Sequence, residues 1–250
     1  MKVSRRLGAV RAPTLSLLLG AQFRLAWYHL RVMRWYVLFL VLLGFVGAAL
    51  VLRLMVWIHY PLIYQYELCR FVLEAGAGLI ACMLGSTVLV NDPALELLIA
   101  SRVGCWKIIL GRVLLIWLIL GVMNACFVGW TYALGLHYSS SDTPWRLFCM
   151  WFVPTWLFTL LALIASLFSR HSAMGGVLGA LLLLLELLMK DFFLNYTVLL
   201  PFFVPLSIWF PDSSIWWSSR ALLFGIGILI AIGVRLRIRR DEALLSAIPL

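Results

Sequence analysis

The chain has 250 residues, of which 64% are apolar and only 12% are Asp, Glu, Lys or Arg, with a mean hydropathy of +1.05. A soluble domain carries about twice that share of charge, so the composition excludes an ordinary soluble enzyme and points to an all-α integral membrane protein. Twenty Lys and Arg against ten Asp and Glu leave a net charge of +10. In a membrane chain this marks loops on the cytoplasmic side. A nucleic-acid site is disfavoured, because the basic residues flank apolar runs instead of forming a basic domain.

Residues 1–34 are too polar to cross a bilayer. From Pro13 to Arg34, helical spacing puts Arg24, Arg31 and Arg34 in one wedge and Leu15, Leu18, Leu25 and Leu30 opposite. That predicts an amphipathic helix lying in the cytoplasmic head-group region. It is either a plain anchor or a lever that also touches a cytoplasmic partner.

A hydrocarbon core of about 30 Å needs about 20 apolar residues at helical rise. Six stretches qualify: Trp35 to Trp57, Phe71 to Val90, Ile108 to Leu136, Leu147 to Phe168, a run starting at Ala173 through Leu181–Leu185, and Ile215 to Val234. These predict a six-helix transmembrane domain over 35–234, with a basic cytoplasmic tail over 235–250. A membrane barrel would alternate polar and apolar residues, and these runs do not.

Between the second and third spans, Asp92 suits an N-cap and Pro93 the first helical position. Leu95, Leu98 and Ile99 share a face that Arg102 continues, and Gly104 can end the helix. A short amphipathic helix over 92–103 is expected. Its apolar face is too small to be stable alone, so it lies on the membrane or docks into a partner. Between spans five and six, Pro201, Pro205 and Pro211 interrupt a segment rich in Phe and Trp. Two half-helices re-entering the outer leaflet at about 192–214 satisfy both features. An interfacial loop with an aromatic belt is the alternative.

Fifteen of the twenty basic residues fall on the side of the N-terminus and five on the other. Both termini are therefore expected in the cytoplasm. The five cysteines show no C-x-x-C and no Cys/His cluster at metal spacing, and read as small apolar packing residues.

Leu95-Glu96-Leu97-Leu98-Ile99-Ala100-Ser101, then Val103, Trp106 and Ile108-Ile109-Leu110-Gly111-Arg112, resembles the second-loop signature of the type-2 (ABC-2) permeases of ATP-binding-cassette exporters. That pattern runs roughly L-E-L-L-L-A-S-P-V-x-x-W-x-I-L-L-G-K/R. Here Arg102 replaces the usual Pro, and Asn91-Asp92-Pro93-Ala94 replaces the charged stretch before L-E. The resemblance implies that 92–103 is a coupling helix. Asp92, Leu95, Glu96, Leu98, Ile99, Ser101, Arg102 and Val103 would form its interface with an ATP-binding subunit. It also implies two copies of that subunit and a second permease protomer, identical or related. The location would be the bacterial inner membrane. The chain lacks a phosphate-cradling G-x-x-x-x-G-K-S/T loop, so ATP and Mg are expected in the partner and no cofactor in this chain. Gly121-x3-Ala125-x3-Gly129 and Gly175-x3-Gly179 offer small-residue faces between protomers.

Three polar residues inside spans ask for a reason. Glu74 has Arg70 at i−4 and Arg53 near by, or else meets substrate. Glu186 has Lys190 at i+4, or else faces a substrate path. Asn124 would bond across to the partner protomer. No hydrolytic pair shares a face and H-E-x-x-H is absent, so no catalytic or metal-binding residue is expected. The expected function is a non-catalytic permease subunit of an exporter. The alternatives are a polytopic scaffold or insertion factor, and an intramembrane lipid-modifying enzyme.

Overall fold

The structure, a computed structural model, describes residues 35–88, 105–136, 138, 142–169, 171–196, 198–210 and 213–246. The amphipathic helix expected at 13–34 and the coupling helix at 92–103 lie outside the described residues. So do Asp92, Leu95, Glu96, Leu98, Ile99, Ser101, Arg102 and Val103, the whole expected coupling interface.

Every regular element among the described residues is helical. Helix α1 (Trp35–Trp57) is interrupted by no proline and carries a single charge, Arg53. Its end is a Schellman turn: Tyr60 N–H donates to Met55 O at 2.9 Å, His59 N–H donates to Val56 O at 3.1 Å, and His59 adopts a left-handed φ of 53°. Pro61 then starts α2 (Leu62–Ser86), which contains one π-helical turn, Val72–Gly76. Helix α3 (Cys105–Ala133) ends in a second Schellman turn, in which Gly135 takes φ 80° and Leu136 N–H donates to Thr131 O at 3.1 Å. Helix α4 (Pro144–Ser169) opens with proline at its first position, and Thr143 Oγ1 accepts from Arg146 N–H at 3.3 Å as an N-cap.

Helix α5 (Ser172–Leu188) is followed by the short α6 (Lys190–Asn195), a 3-10 turn (Leu200–Phe202) and the one-turn α7 (Leu206–Trp209). The last element among the described residues is α8 (Trp216–Ser246). The basic segment from residue 235 is thus a helical continuation of the last span up to Ser246, where sequence alone marked a separate tail.

Five helices, α1 to α4 and α8, are long and apolar enough to cross a bilayer. The run in α5 is shorter, Ala173–Leu188. At about 1.5 Å per residue it reaches about 25 Å, just under the hydrocarbon thickness. The second span starts nine residues earlier than its apolar run suggests, because Gln65 and Arg70 are buried and bonded instead of marking a water-facing end.

Helices α2 and α4 form the centre: 67% and 61% of their apolar windows are buried, against 17% for α1, 28% for α3 and 22% for α8. Leu73, Leu84, Ile116, Met150, Phe158 and Leu163 fill the space between them without solvent contact. The outer faces of α1, α3 and α8 are the reverse of a soluble surface. Phe39, Leu43, Leu50, Leu118, Val122 and Leu229 are exposed, which suits a hydrocarbon solvent.

Helix α5 joins the central pair through glycine. A Cβ at Gly175 would stand 2.6 Å from Ser86 Cβ and 2.9 Å from Ala162 Cβ, and one at Gly179 would collide with Cys82. The close approach lets the Cys82 thiol donate to Gly175 O at 2.9 Å. The Gly175-x3-Gly179 face, expected between protomers, is therefore consumed inside the chain. Gly121 likewise meets Trp151 of the same chain, whereas a Cβ at Gly129 would meet nothing.

Replacing Gly175 by Leu should lower the thermal midpoint of the detergent-solubilised protein by an amount equal to about 1–3 kcal/mol or more. Gly47→Leu, at a site with open space around it, should leave the midpoint nearly unchanged.

Candidate functional site

The segment between α6 and α8 is broken by Pro201 and Pro205, so its peptide groups cannot all pair within a helix. It nevertheless packs inside the helical body: Phe203, Val204, Leu206 and Ser207 are buried. In an apolar surrounding each unpaired peptide group costs several kcal/mol. The structure supplies partners from three long helices.

Glu74, on the π turn of α2, is fully buried. One carboxylate oxygen accepts from the Ser207 backbone N–H at 3.0 Å. The other accepts from the Ser207 hydroxyl and from Arg220 of α8. The same Arg220 Nη2 also donates to Val204 O at 3.0 Å. From α5, Glu186 accepts from Val204 N–H at 3.2 Å. From α8, the Ser219 hydroxyl donates to Pro201 O at 2.8 Å, and Trp216 Nε1 donates to Ser207 Oγ at 2.6 Å. Residues 201–207 are thus stitched to α2, α5 and α8 at once.

A second ionic group adjoins the first through Trp216. Its ring lies 4.8 Å from the Arg146 guanidinium carbon and 5.2 Å from that of Arg220. Arg146 Nε stands 3.8 Å from Asp142, and Asp142 accepts from Arg70 Nη2 at 3.2 Å. Three arginines and two acids, all buried, therefore link the starts of α4 and α8 to α2.

These contacts correct the pairings expected from sequence. Glu74 pairs with Arg220, not with Arg70 or Arg53, and Arg70 turns to Asp142. The π turn Val72–Gly76 contains Glu74, and its wider winding takes Glu74 off the i−4 row. Glu186 binds a backbone N–H, not Lys190; Lys190 Nζ sits 4.6 Å over the Trp209 ring. Asn124 is fully buried within the chain and its Nδ2 donates to Leu120 O at 2.8 Å on its own helix. Its Oδ1 has no hydrogen-bond partner among the described groups. Of the three intramembrane candidates, Glu74 and Glu186 meet on one segment and Asn124 does not join them.

Ser207, Trp216, Arg220, Asp142 and Arg146 were not singled out from sequence. Arg220 carried a usable signal, since it is a cation one turn inside the last span with no anion at helical spacing. The others carried none, because their partners are far away in the chain. Arg112, part of the 95–112 pattern, donates from Nη1 to Val88 O at 2.6 Å, two residues past the end of α2. Among the described residues, no group of three or more His, Cys, Asp and Glu side chains is placed to hold a metal ion. The Ser207 hydroxyl is fully buried, donating to Glu74 and accepting from Trp216.

Removing one member of the buried pair leaves the other uncompensated, at a cost of about 3–5 kcal/mol. Glu74→Gln and Arg220→Gln should each lower thermal stability by that order. The double variant should lose less than the sum of the two, measured by thermal unfolding in one detergent. Ser207→Ala should cost about 1–3 kcal/mol. No family model, no curated protein and no solved structure matches the chain.

Proposed function

We propose that the chain is the membrane permease subunit of an ATP-driven exporter. It would work as two permease protomers with two copies of a separate ATP-binding subunit. In this reading α5, extended by α6, is the sixth crossing. Both termini and the 92–103 helix lie on the cytoplasmic face of a bacterial inner membrane, as the charge bias supports.

The observation that carries this reading is the position of α2. Its Ser86 end leads into the segment that resembles a coupling helix, and α3 resumes directly after that segment at Cys105. Arg112 ties the two flanking helices together through Val88 O. At its midpoint, on the π turn, α2 holds the broken hairpin through Glu74. A push on the coupling helix by a closing ATPase dimer is therefore delivered along one rigid element to the hairpin and to α8. Coupling of this kind needs an element that both sites bias; the hairpin, bonded to α2, α5 and α8 at once, suits that role.

ATP and Mg bind in the partner subunit. This chain contributes the path and the mechanical link. The exposed apolar surfaces of α1, α3 and α8 favour amphipathic cargo that enters from the bilayer.

Purification of the native complex under mild conditions should yield an ATP-binding subunit with this chain. Glu96→Ala and Leu98→Asp should each reduce transport about tenfold or more while membrane insertion stays normal and the ATPase still turns over. Unchanged transport in both variants, or a chain that purifies alone from its own host, would sink the exporter reading.

A further inference from the structure

At the C-terminal end of α5 a carboxylate and an ammonium sit about one helical turn apart and do not pair. Glu186 gives one oxygen to the Val204 N–H at 3.2 Å. Its other oxygen, Oε1, accepts no hydrogen bond among the described groups and keeps accessible surface. Glu186 enters no ion pair among the described residues, whereas Glu74 is matched by Arg220 and Asp142 by Arg70. Lys190 is the converse. Its Nζ rests 4.6 Å from the centre of the Trp209 ring and meets no acceptor oxygen among the described groups.

The ring that holds Lys190 is the end of an aromatic run. Phe193 and Phe203 lie 5.3 Å apart, and Phe203 and Trp209 5.6 Å apart. Phe203 directly precedes Val204, so the peptide that anchors Glu186 adjoins that run. Glu186, Lys190 and Trp209 are each partly exposed. A tryptophan face beside a carboxylate is a recognition surface for alkylammonium groups, and here the face already carries an ammonium. A metal ion fits poorly. Hard cations such as calcium take about six to eight oxygens, and no group of three or more metal-ligating side chains occurs among the described residues.

The flank of the site adds an apolar requirement. Leu185 and Met189, at i−1 and i+3 from Glu186, are exposed. They place an apolar strip beside the polar pair on the same side of the helix. A ligand that meets both surfaces has a cationic head and a hydrocarbon tail.

We propose that this surface binds an amphipathic organic ammonium, with its head against the Trp209 face and Glu186 Oε1 and its tail along Leu185 and Met189. Lys190 is the resident cation that covers the ring while the site is empty, and the ligand displaces it. This inference goes beyond the exporter reading. Binding is measured on the full chain without nucleotide, so either can fail without the other.

The test is equilibrium binding of dodecyltrimethylammonium to the full chain in maltoside detergent, against its uncharged carbon isostere and against tetramethylammonium. The amphiphilic cation should bind saturably and about tenfold more tightly than the isostere, and tetramethylammonium should bind more weakly still. Glu186→Gln and Trp209→Leu should each weaken binding by about tenfold. Trp209→Phe, which keeps a ring, should lose less. Lys190→Met should tighten binding, because the resident cation no longer competes. A thermal midpoint confirms that each variant is folded, and either Glu186→Gln or Trp209→Phe decides the matter if Trp209→Leu does not fold. Equal binding of cation and isostere, or no saturable binding, would overturn the site. So would unchanged affinity in folded Glu186→Gln. Tetramethylammonium bound as tightly as the amphiphile would overturn the tail contact, and unchanged affinity in Lys190→Met would overturn the displacement.

Discussion

A backbone that leaves the helix inside an apolar body must have its N–H and C=O groups answered by something. In this chain Pro201 and Pro205 force that exit, and the answer comes from the few charged and polar side chains of the surrounding spans. Glu74, Glu186, Trp216, Ser219 and Arg220 all direct their bonds to residues 201–207. The arrangement is economical in charge. Glu74 and Arg220 neutralise each other while each also satisfies a peptide group, which is how a buried ion pair can be tolerated despite its desolvation.

The rest of the architecture follows from that demand. Helix α2 must run through the middle to bring Glu74 under the hairpin, so it is one of the two most buried helices. Helix α5 must come close enough for Glu186 to reach Val204, and the glycines at 175 and 179 permit that approach by letting α5 lie against Cys82, Ser86 and Ala162. Helices α1, α3 and much of α8 carry no such duty and present apolar side chains outward. The ladder of rings on α4 is the wall that faces α8 across a small cleft.

Some of this was legible from residues alone. The apolar runs located α1, α3 and α4 to within a few positions, whereas α2 starts nine residues before its run and α8 continues past Val234 to Ser246. The prolines at 201 and 205 announced a broken segment. What could not be read was who pairs with whom. Helical spacing offered Arg70 to Glu74 and Lys190 to Glu186, but that rule assumes an unbroken α-helix. A π turn removes the first partner, and a backbone N–H in need takes the second carboxylate. The Gly175-x3-Gly179 spacing announced a close contact correctly and could not say with which helix. The start of α2 was missed because Gln65 and Arg70 look like water-facing residues until Tyr60 O and Asp142 are seen beside them.

The ion pair at the centre also sets an order of events in biogenesis. Glu74 and Arg220 are 146 positions apart in the chain. The ribosome therefore completes α2 long before α8 exists, and domains assemble in the order of synthesis where they can. During that interval Glu74 has neither Arg220 nor Ser207 to meet. The nascent α2 must wait with a carboxyl group that has no partner in the hydrocarbon, or at a level where water still reaches it. Final burial of the hairpin is thus the last act of assembly, and it is licensed only when the C-terminal helix arrives.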